Sequence, residues 1–415
     1  MRVAVLLEDR CKPNSNAFAY LQKYSAMCER ECIQFEGDKC KILESACPVC
    51  FNRARHCPDN AVIVINLPEE LDSEMSHCYG ENSFRLFRLP APRLEQVVGI
   101  LGPNGMGKST AVNLLSGSIT PNLGDWSNQT PDWDDVITTF PRGELRDYLA
   151  LLSEEGVSIA VKPQYIDKLP KIFEGEVNEL LERVDDRGEI DKYSEALGIG
   201  HILSRKLGSL SGGELQRVAL CATLLKEADV YFFDEPSSYL DIYERMRMVR
   251  IIQDLTATGK RVLVVEHDLA ILDVLCDLLH VVYGERAAYG IFTPARTTRT
   301  AINAYLDGYL PEENVRIRNK PIRFVRGRTR GEDIGLPILK WGDMEKKMGD
   351  FQLTTGQGEV RSAEVIGVVG PNATGKTTMV KMIAGELEPD QGWCTMEAEV
   401  SYKPQHVSTD FQGSV

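Results

Sequence analysis

Short apolar runs, each closed by a polar or glycine-rich segment, punctuate this chain more clearly than any long amphipathic stretch. Val97-Val98-Gly99-Ile100-Leu101 is one such run, and Val230-Tyr231-Phe232-Phe233 and Val262-Leu263-Val264-Val265 are two more. Runs of this length, rich in β-branched and aromatic residues, predict strands buried on both faces of a sheet. After the first run a glycine-rich turn leads into Ser109-Thr110-Ala111-Val112-Asn113-Leu114-Leu115, which reads as a helix. Strand, turn and helix in that order predict an α/β fold with a doubly wound sheet, whose ligands sit at the strand ends.

The segments that close these runs carry the candidate chemistry. Gly102-Pro103-Asn104-Gly105-Met106-Gly107-Lys108-Ser109 has the phosphate-loop pattern. Its glycines let backbone N–H groups wrap phosphates, Lys108 reaches the β- and γ-phosphates, and Ser109 Oγ suits Mg²⁺. Gly102, Asn104, Gly105, Gly107, Lys108, Ser109 and Thr110 are therefore the expected nucleotide-binding residues. Asp234 and Glu235 end the second run, Asp234 as an Mg²⁺ ligand and Glu235 as the general base for an attacking water. His267 follows the third run and is expected to contact the γ-phosphate. Gln164, in Lys162-Pro163-Gln164, suits sensing Mg²⁺ and the attacking water. Leu210-Ser211-Gly212-Gly213-Glu214 opens a helix whose N-terminus can bind a γ-phosphate held by another copy, through Ser211, Gly212, Gly213 and Glu214. Together the motifs specify an ATP-binding cassette.

The pattern then repeats. Gly370-Pro371-Asn372-Ala373-Thr374-Gly375-Lys376-Thr377-Thr378 is a second phosphate loop, and Tyr402-Lys403-Pro404-Gln405 a second glutamine turn. Gly370, Asn372, Gly375, Lys376, Thr377 and Thr378 should bind nucleotide, Thr377 its Mg²⁺, and Gln405 should act as Gln164 does. The first copy is longer between loop and glutamine by 27 residues, an insert near 131–155 that reads as two short helices around a turn. At the first copy's spacing, a second signature, acidic pair and histidine fall past residue 415. The expectation is two cassettes in tandem, the second incomplete, in a fragment or a protein that needs an opposing cassette half.

Composition narrows the setting. The net charge of −14 argues against a general nucleic-acid coat, although a local basic face could still touch RNA. No run of ~18 apolar residues suggests a membrane span, and the N-terminus does not read as a secretory signal, so a cytoplasmic protein is expected. Eight of eleven cysteines lie in the first 78 residues, a segregation that in a reducing setting points to metal ligation.

With these motifs in order, and with Ile65-Asn66-Leu67-Pro68, Pro236-Ser237-Ser238-Tyr239-Leu240-Asp241 and Leu306-Asp307-Gly308-Tyr309 joining them, the chain resembles the ribosome-recycling ABC ATPases of subfamily E, the RNase L inhibitor family. The resemblance implies a small ferredoxin-like Cys-rich domain over 1–78, a first cassette over 79–305, a hinge over 306–330 and the N-terminal part of a second cassette over 331–415. It implies cassette closure that splits post-termination or rescued ribosomes into subunits, with the small subunit, its rRNA and release or rescue factors as partners. Tyr79 and Phe84 fall where the family stacks adenine; their plainer reading is interdomain packing. Asp241 falls in the loop that couples the two sites. The family's two-cluster cysteine pattern is broken, since Arg53, Asn16, Tyr20 and Tyr24 stand where cysteines are called for. One [4Fe–4S] cluster rather than two, a Zn²⁺ held by four of Cys28, Cys32, Cys40, Cys47, Cys50 and Cys57, or a metal-free remnant are the open alternatives. A non-hydrolysing ATP-binding module on the ribosome is the alternative function.

Overall fold

The computed structural model describes residues 2–27, 32–43, 56–128, 131–154, 156–324, 335–349, 351–362, 364–396 and 399–403. It falls into two units, residues 1–239 with 244–323, and residues 240–243 with 324–415.

The centre of the first unit is a parallel sheet in the order Leu278–Glu285, Val97–Leu101, Arg261–Val265, Val230–Asp234, Ile159–Lys162. Val97–Leu101 is thus flanked on both sides, and Val97, Val98 and Ile100 are fully buried. Each such side chain removed from water contributes about 1.5–3 kcal/mol, which is why the run carries no polar residue. Tyr289–Phe292 extends the sheet antiparallel to Leu278–Glu285, and Arg85–Phe87 and Met75–Cys78 continue that edge. The sheet residues Ile100, Phe232, Leu263 and Val265 share one core with Ala111, Val112, Leu114 and Leu115 of the helix Lys108–Leu115.

The insert supplies two helices to the same core. Trp133–Thr139 starts on an Asp132 side chain that accepts from the Asp134 N–H, and Glu144–Ser153 follows after Gly143. Val136, Phe140, Tyr148 and Leu149 are the buried contributions, and the Tyr148 hydroxyl donates to the Leu115 carbonyl at 2.5 Å.

The N-terminal residues belong to this unit as well. Arg2–Leu6 pairs antiparallel with Val62–Asn66, Ile33–Glu36 with Lys39–Ile42, and the helix Asn16–Ala26 starts at a Ser15 cap. Their core is Ala4, Cys11, Ala17, Phe18, Leu21, Ile33, Ile42, Cys57, Ala61 and Val62. One buried amide joins the two strand pairs: Asn82 donates to the carbonyls of Ala4 (3.0 Å) and Ile42 (2.9 Å) and accepts from the Ile42 N–H (2.8 Å).

The second unit holds Pro337–Trp341 between Gly358–Arg361 and Cys394–Met396, all antiparallel, and the hairpin Met344–Met348 with Phe351–Thr355. Leu339, Trp341, Met344 and Met382 form its core, the last from the helix Lys376–Ile383. The apolar segment 364–371 pairs with no strand among the described residues, and Val365 and Val369 are 97% and 90% exposed.

Candidate nucleotide site

The first phosphate loop runs from the end of Val97–Leu101 to the N-terminus of Lys108–Leu115, so its amides and the helix dipole face one place. Gly107 shows why the loop is glycine-rich. Its φ is +86°, and a Cβ there would lie 2.7 Å from both Phe84 and Leu86. Lys108 is buried along its stem, and its Nζ donates to the carbonyls of Gly102 (2.8 Å) and Pro103 (3.0 Å) and to Asn104 Oδ1 (3.1 Å). Burial pulls this ammonium down to about 8, against the upward pull of Asp234 and Glu235.

A cleft of 520 Å³ opens over the loop. Tyr79, Phe84, Asn104, Gly107, Lys108, Ser109 and Thr110 line it together with Gln164, Tyr165, Asp234, Glu235, Arg286 and Ala287. Tyr79 reaches it exposed, its hydroxyl donating to Thr110 Oγ1 at 3.2 Å. A flat aromatic half open to solvent beside a phosphate loop can stack a base.

The sheet aligns the acidic pair with the loop. Parallel register puts Asp234 beside Val265, and the Glu235 N–H donates to the Val265 carbonyl at 2.9 Å. Burial, and then the neighbouring Glu235, pushes Asp234 up to about 6. Two like carboxylates confined beside buried strands favour a cation, and Ser109, Asp234 and Gln164 are the hard oxygen donors that Mg²⁺ takes. Gln164 Nε2 donates to Glu235 Oε1 at 2.7 Å, and His267 Nε2 lies 3.5 Å from the same oxygen. Burial, and then Lys108, lowers His267 below its usual range, so the ring is neutral near pH 7. A neutral imidazole can donate to or accept from a neighbouring oxygen.

Ser211, Gly212, Gly213 and Glu214 do not line this cleft. Ser211 caps the helix Gly212–Leu224 in a capping box, its side chain accepting from the Glu214 N–H and its own N–H donating to Glu214 Oε2 at 2.7 Å. Gly212 and Ser211 are exposed, which leaves that helix N-terminus open to an anion.

The second loop has the same local form. Gly375 has φ +91° at the start of Lys376–Ile383, and Lys376 Nζ donates to the carbonyls of Gly370 (2.6 Å) and Pro371. Thr377 and Thr378 open the helix as Ser109 and Thr110 do in the first copy. Within this unit the Asn372 N–H donates to Asp241 Oδ2 at 2.8 Å. Gln405 lies outside the described residues.

The ABC transporter family profile matches residues 93–238 and 353–413, covering both loops. Over the whole chain, an ABC transporter ATP-binding protein of Methanocaldococcus jannaschii is 42% identical, the match spanning 69% of that protein. ABC transporter E family member 1 of Arabidopsis thaliana is 38% identical over 97% of this chain and 68% of its own length. The chain belongs to ABC subfamily E. The translation initiation factor RLI1 of Saccharomyces cerevisiae is a further subfamily E relative, 37% identical over the full chain and 70% of its own length. Among solved structures, a model of ribosome-bound archaeal Pelota and ABCE1 superposes with a TM-score of 0.91 at 44% identity, covering 100% of this chain and 70% of that one. A structure described as RNase-L Inhibitor gives 0.76 at 47% identity, over 82% of this chain and 66% of that one.

Subfamily E membership makes the cysteines worth testing against a metal. Cys11 and Cys57 are buried and Cys40 half-buried in one apolar cluster with Ala17, Phe18 and Leu21, against which Tyr20 and Tyr24 pack. Burial, and then Cys11, pushes the Cys40 and Cys57 thiols up to about 12. Cys57 Sγ faces the Ala17 carbonyl at 3.8 Å, and Cys32 is buried. Among the described residues no group of three metal-ligating side chains converges. The described candidates Cys32, Cys40 and Cys57 thus lie in or against apolar surroundings. Cys28, Cys47 and Cys50 lie outside the described residues.

Sequence reasoning missed five residues of the site, Tyr165 in the cleft lining among them. Arg286 and Ala287 line the cleft from the turn after Leu278–Glu285, with the Ala287 N–H donating to the Gly105 carbonyl at 3.0 Å. No motif marks that turn. Lys162 and Gln216 are fully buried behind the acidic pair. Lys162 could have been found, since lysine precedes Pro-Gln in both copies.

Proposed function

We propose that this chain is the ATP-driven part of a ribosome-recycling factor, in which nucleotide binding and hydrolysis at the Lys108 site power the splitting of ribosomes into subunits. The observation that carries the ATPase reading is the convergence of Gln164, His267 and the phosphate loop on one carboxylate, Glu235, within a single cleft. Lys108 and the loop amides bind the β- and γ-phosphates. Ser109, Asp234 and Gln164 would hold Mg²⁺, which would supply charge neutralisation to the phosphates. Glu235 takes the proton of the attacking water, Gln164 fixes its Oε1, and neutral His267 hydrogen-bonds a γ-phosphate oxygen. Tyr79 and Phe84 hold the base.

The exposed Ser211–Glu214 helix end supplies the surface that binds a phosphate across from an opposing loop of the Lys376 type. The coupling to ribosomes is supported by the relatives named above, one a translation initiation factor and one described bound to a ribosome with Pelota. No described helix is long and apolar enough to cross a membrane.

Glu235→Gln tests the reading. Loss of the base should lower ribosome-stimulated phosphate release by roughly 10²–10⁴-fold while ATP still binds, and subunit yield on a sucrose gradient should stall after one round. Turnover equal to wild type removes Glu235 as the base. A wild-type chain that binds ATP and ribosomes without releasing phosphate or subunits would make it a nucleotide-gated binding module.

A further inference from the structure

The turn Asp234-Glu235-Pro236 carries both acidic residues of the site on a backbone that needs holding. Glu235 has φ +46°, a left-handed value that a non-glycine residue keeps only where its surroundings impose it. Three successive carbonyls of this turn are gripped by two side chains from different elements. Lys162 Nζ donates to the Asp234 carbonyl at 2.9 Å and the Glu235 carbonyl at 3.3 Å. Gln216 Nε2 donates to the Glu235 carbonyl at 2.9 Å and the Pro236 carbonyl at 2.8 Å. Both side chains are 0% exposed.

Burying an ammonium and an amide is unfavourable, and apolar residues of the same size would fill either position without that cost. What the polar groups add is donors, and these donors go to the catalytic turn. Their locations give the contact a mechanical meaning. Lys162 ends the strand Ile159–Lys162, two residues before Gln164, and Gln216 lies in the helix that Ser211 opens. The lysine recurs in sequence, since Lys403 precedes Pro404-Gln405 as Lys162 precedes Pro163-Gln164.

We infer that Lys162 and Gln216 form a two-point clamp that holds the Asp234–Glu235 turn in its productive geometry and ties the glutamine strand and the signature helix to the same three carbonyls. Both are positioning residues, since neither lines the nucleotide cleft. The inference rests on the ATPase reading for its consequence in turnover, and on geometry alone for its consequence in metal-dependent binding.

Lys162→Met and Gln216→Leu, made singly and together in the full chain, test it. The readouts are mant-ATP affinity in Mg²⁺ and in EDTA, and kcat and KM with ribosomes. With the clamp released, kcat should fall roughly 10- to 100-fold, the scale of a misplaced reacting group. KM and binding in EDTA should stay within about twofold, while the Mg²⁺-dependent gain in affinity shrinks by about tenfold. The double variant should lose less than the product of the singles, because both act on one turn. A folded Lys162→Met with wild-type kcat and Mg²⁺ dependence overturns the clamp, as does an equal loss of binding in EDTA. If Lys162→Met does not fold, Gln216→Leu decides by the same readouts; if neither folds, the pair is scaffold and the positioning role is lost. A wild-type chain without turnover refutes the ATPase reading, and the clamp is then judged on Mg²⁺-dependent binding alone.

Discussion

The two phosphate loops share a sequence pattern and a local shape, yet the apolar runs that lead into them differ completely. Val97–Leu101 is paired on both sides and buried, whereas 364–371 pairs with no described strand and shows Val365 and Val369 to solvent. The loops nonetheless match: Gly107 and Gly375 have φ +86° and +91°, and Lys108 and Lys376 both fold onto the first two carbonyls of their loops. A phosphate loop is therefore a local object, made by glycines and a helix N-terminus. The site around it is not, because His267 follows the strand beside Val97–Leu101 and Asp234 and Glu235 end the next strand out, so only the order and register of the sheet bring them to Lys108.

That contrast can be broken most directly in the apolar runs. Val98→Asp buries a charge between two strands and should cost more than about 4 kcal/mol, seen as loss of the cooperative melt of the first unit. Val365→Asp, on a 97% exposed side chain, should change stability by no more than about 0.5 kcal/mol. Equal losses would mean that both runs are covered alike in solution.

The likeness of the loops is sharpened by alanine at the two glycines. A Cβ would meet Phe84 and Leu86 at 2.7 Å in the first loop, and Leu353 and Phe351 at 2.9 Å in the second. Gly107→Ala and Gly375→Ala should each cost roughly 1–3 kcal/mol from backbone strain and crowding, read by chemical denaturation of each unit. A second loop that tolerates alanine would show that its left-handed turn is not held.

An effect of comparable size, spread over pH, probes the sheet of the first copy. His280, on the strand beside Val97–Leu101, donates through Nδ1 to the Thr293 carbonyl (2.7 Å), and burial lowers it to about 4. The folded state then binds fewer protons than the unfolded between that value and the usual 6.5. Stability from this group is present above pH 6.5 and is lost as pH falls toward 4, by roughly 1–3 kcal/mol. His280→Gln should flatten that part of the stability-against-pH curve, and an unchanged slope would show that His280 is not buried neutral.

Much of this was legible in sequence because the motifs are contiguous and each has its own local physics. Gly107, Lys108 and Ser109 fold as a loop between a strand and a helix, and the Ser211–Glu214 run opens a helix as its residues suggest. The cysteines were harder. Counting and spacing suggest ligands, but whether thiols bind a metal depends on how many meet at one point, and Cys28, Cys47 and Cys50 lie outside the described residues.

By itself, then, the sequence determined the α/β class, the tandem loops, the acidic pair and the family, since these depend on residue type and spacing along the chain. Only the tertiary structure decided that Gln164 and His267 meet on one oxygen of Glu235, that Lys162 and Gln216 grip the turn behind it, and that Arg286 and Ala287 close the cleft. Those contacts join residues 19 to 73 or more positions apart, and no local pattern encodes a distance that only the order and register of the strands set.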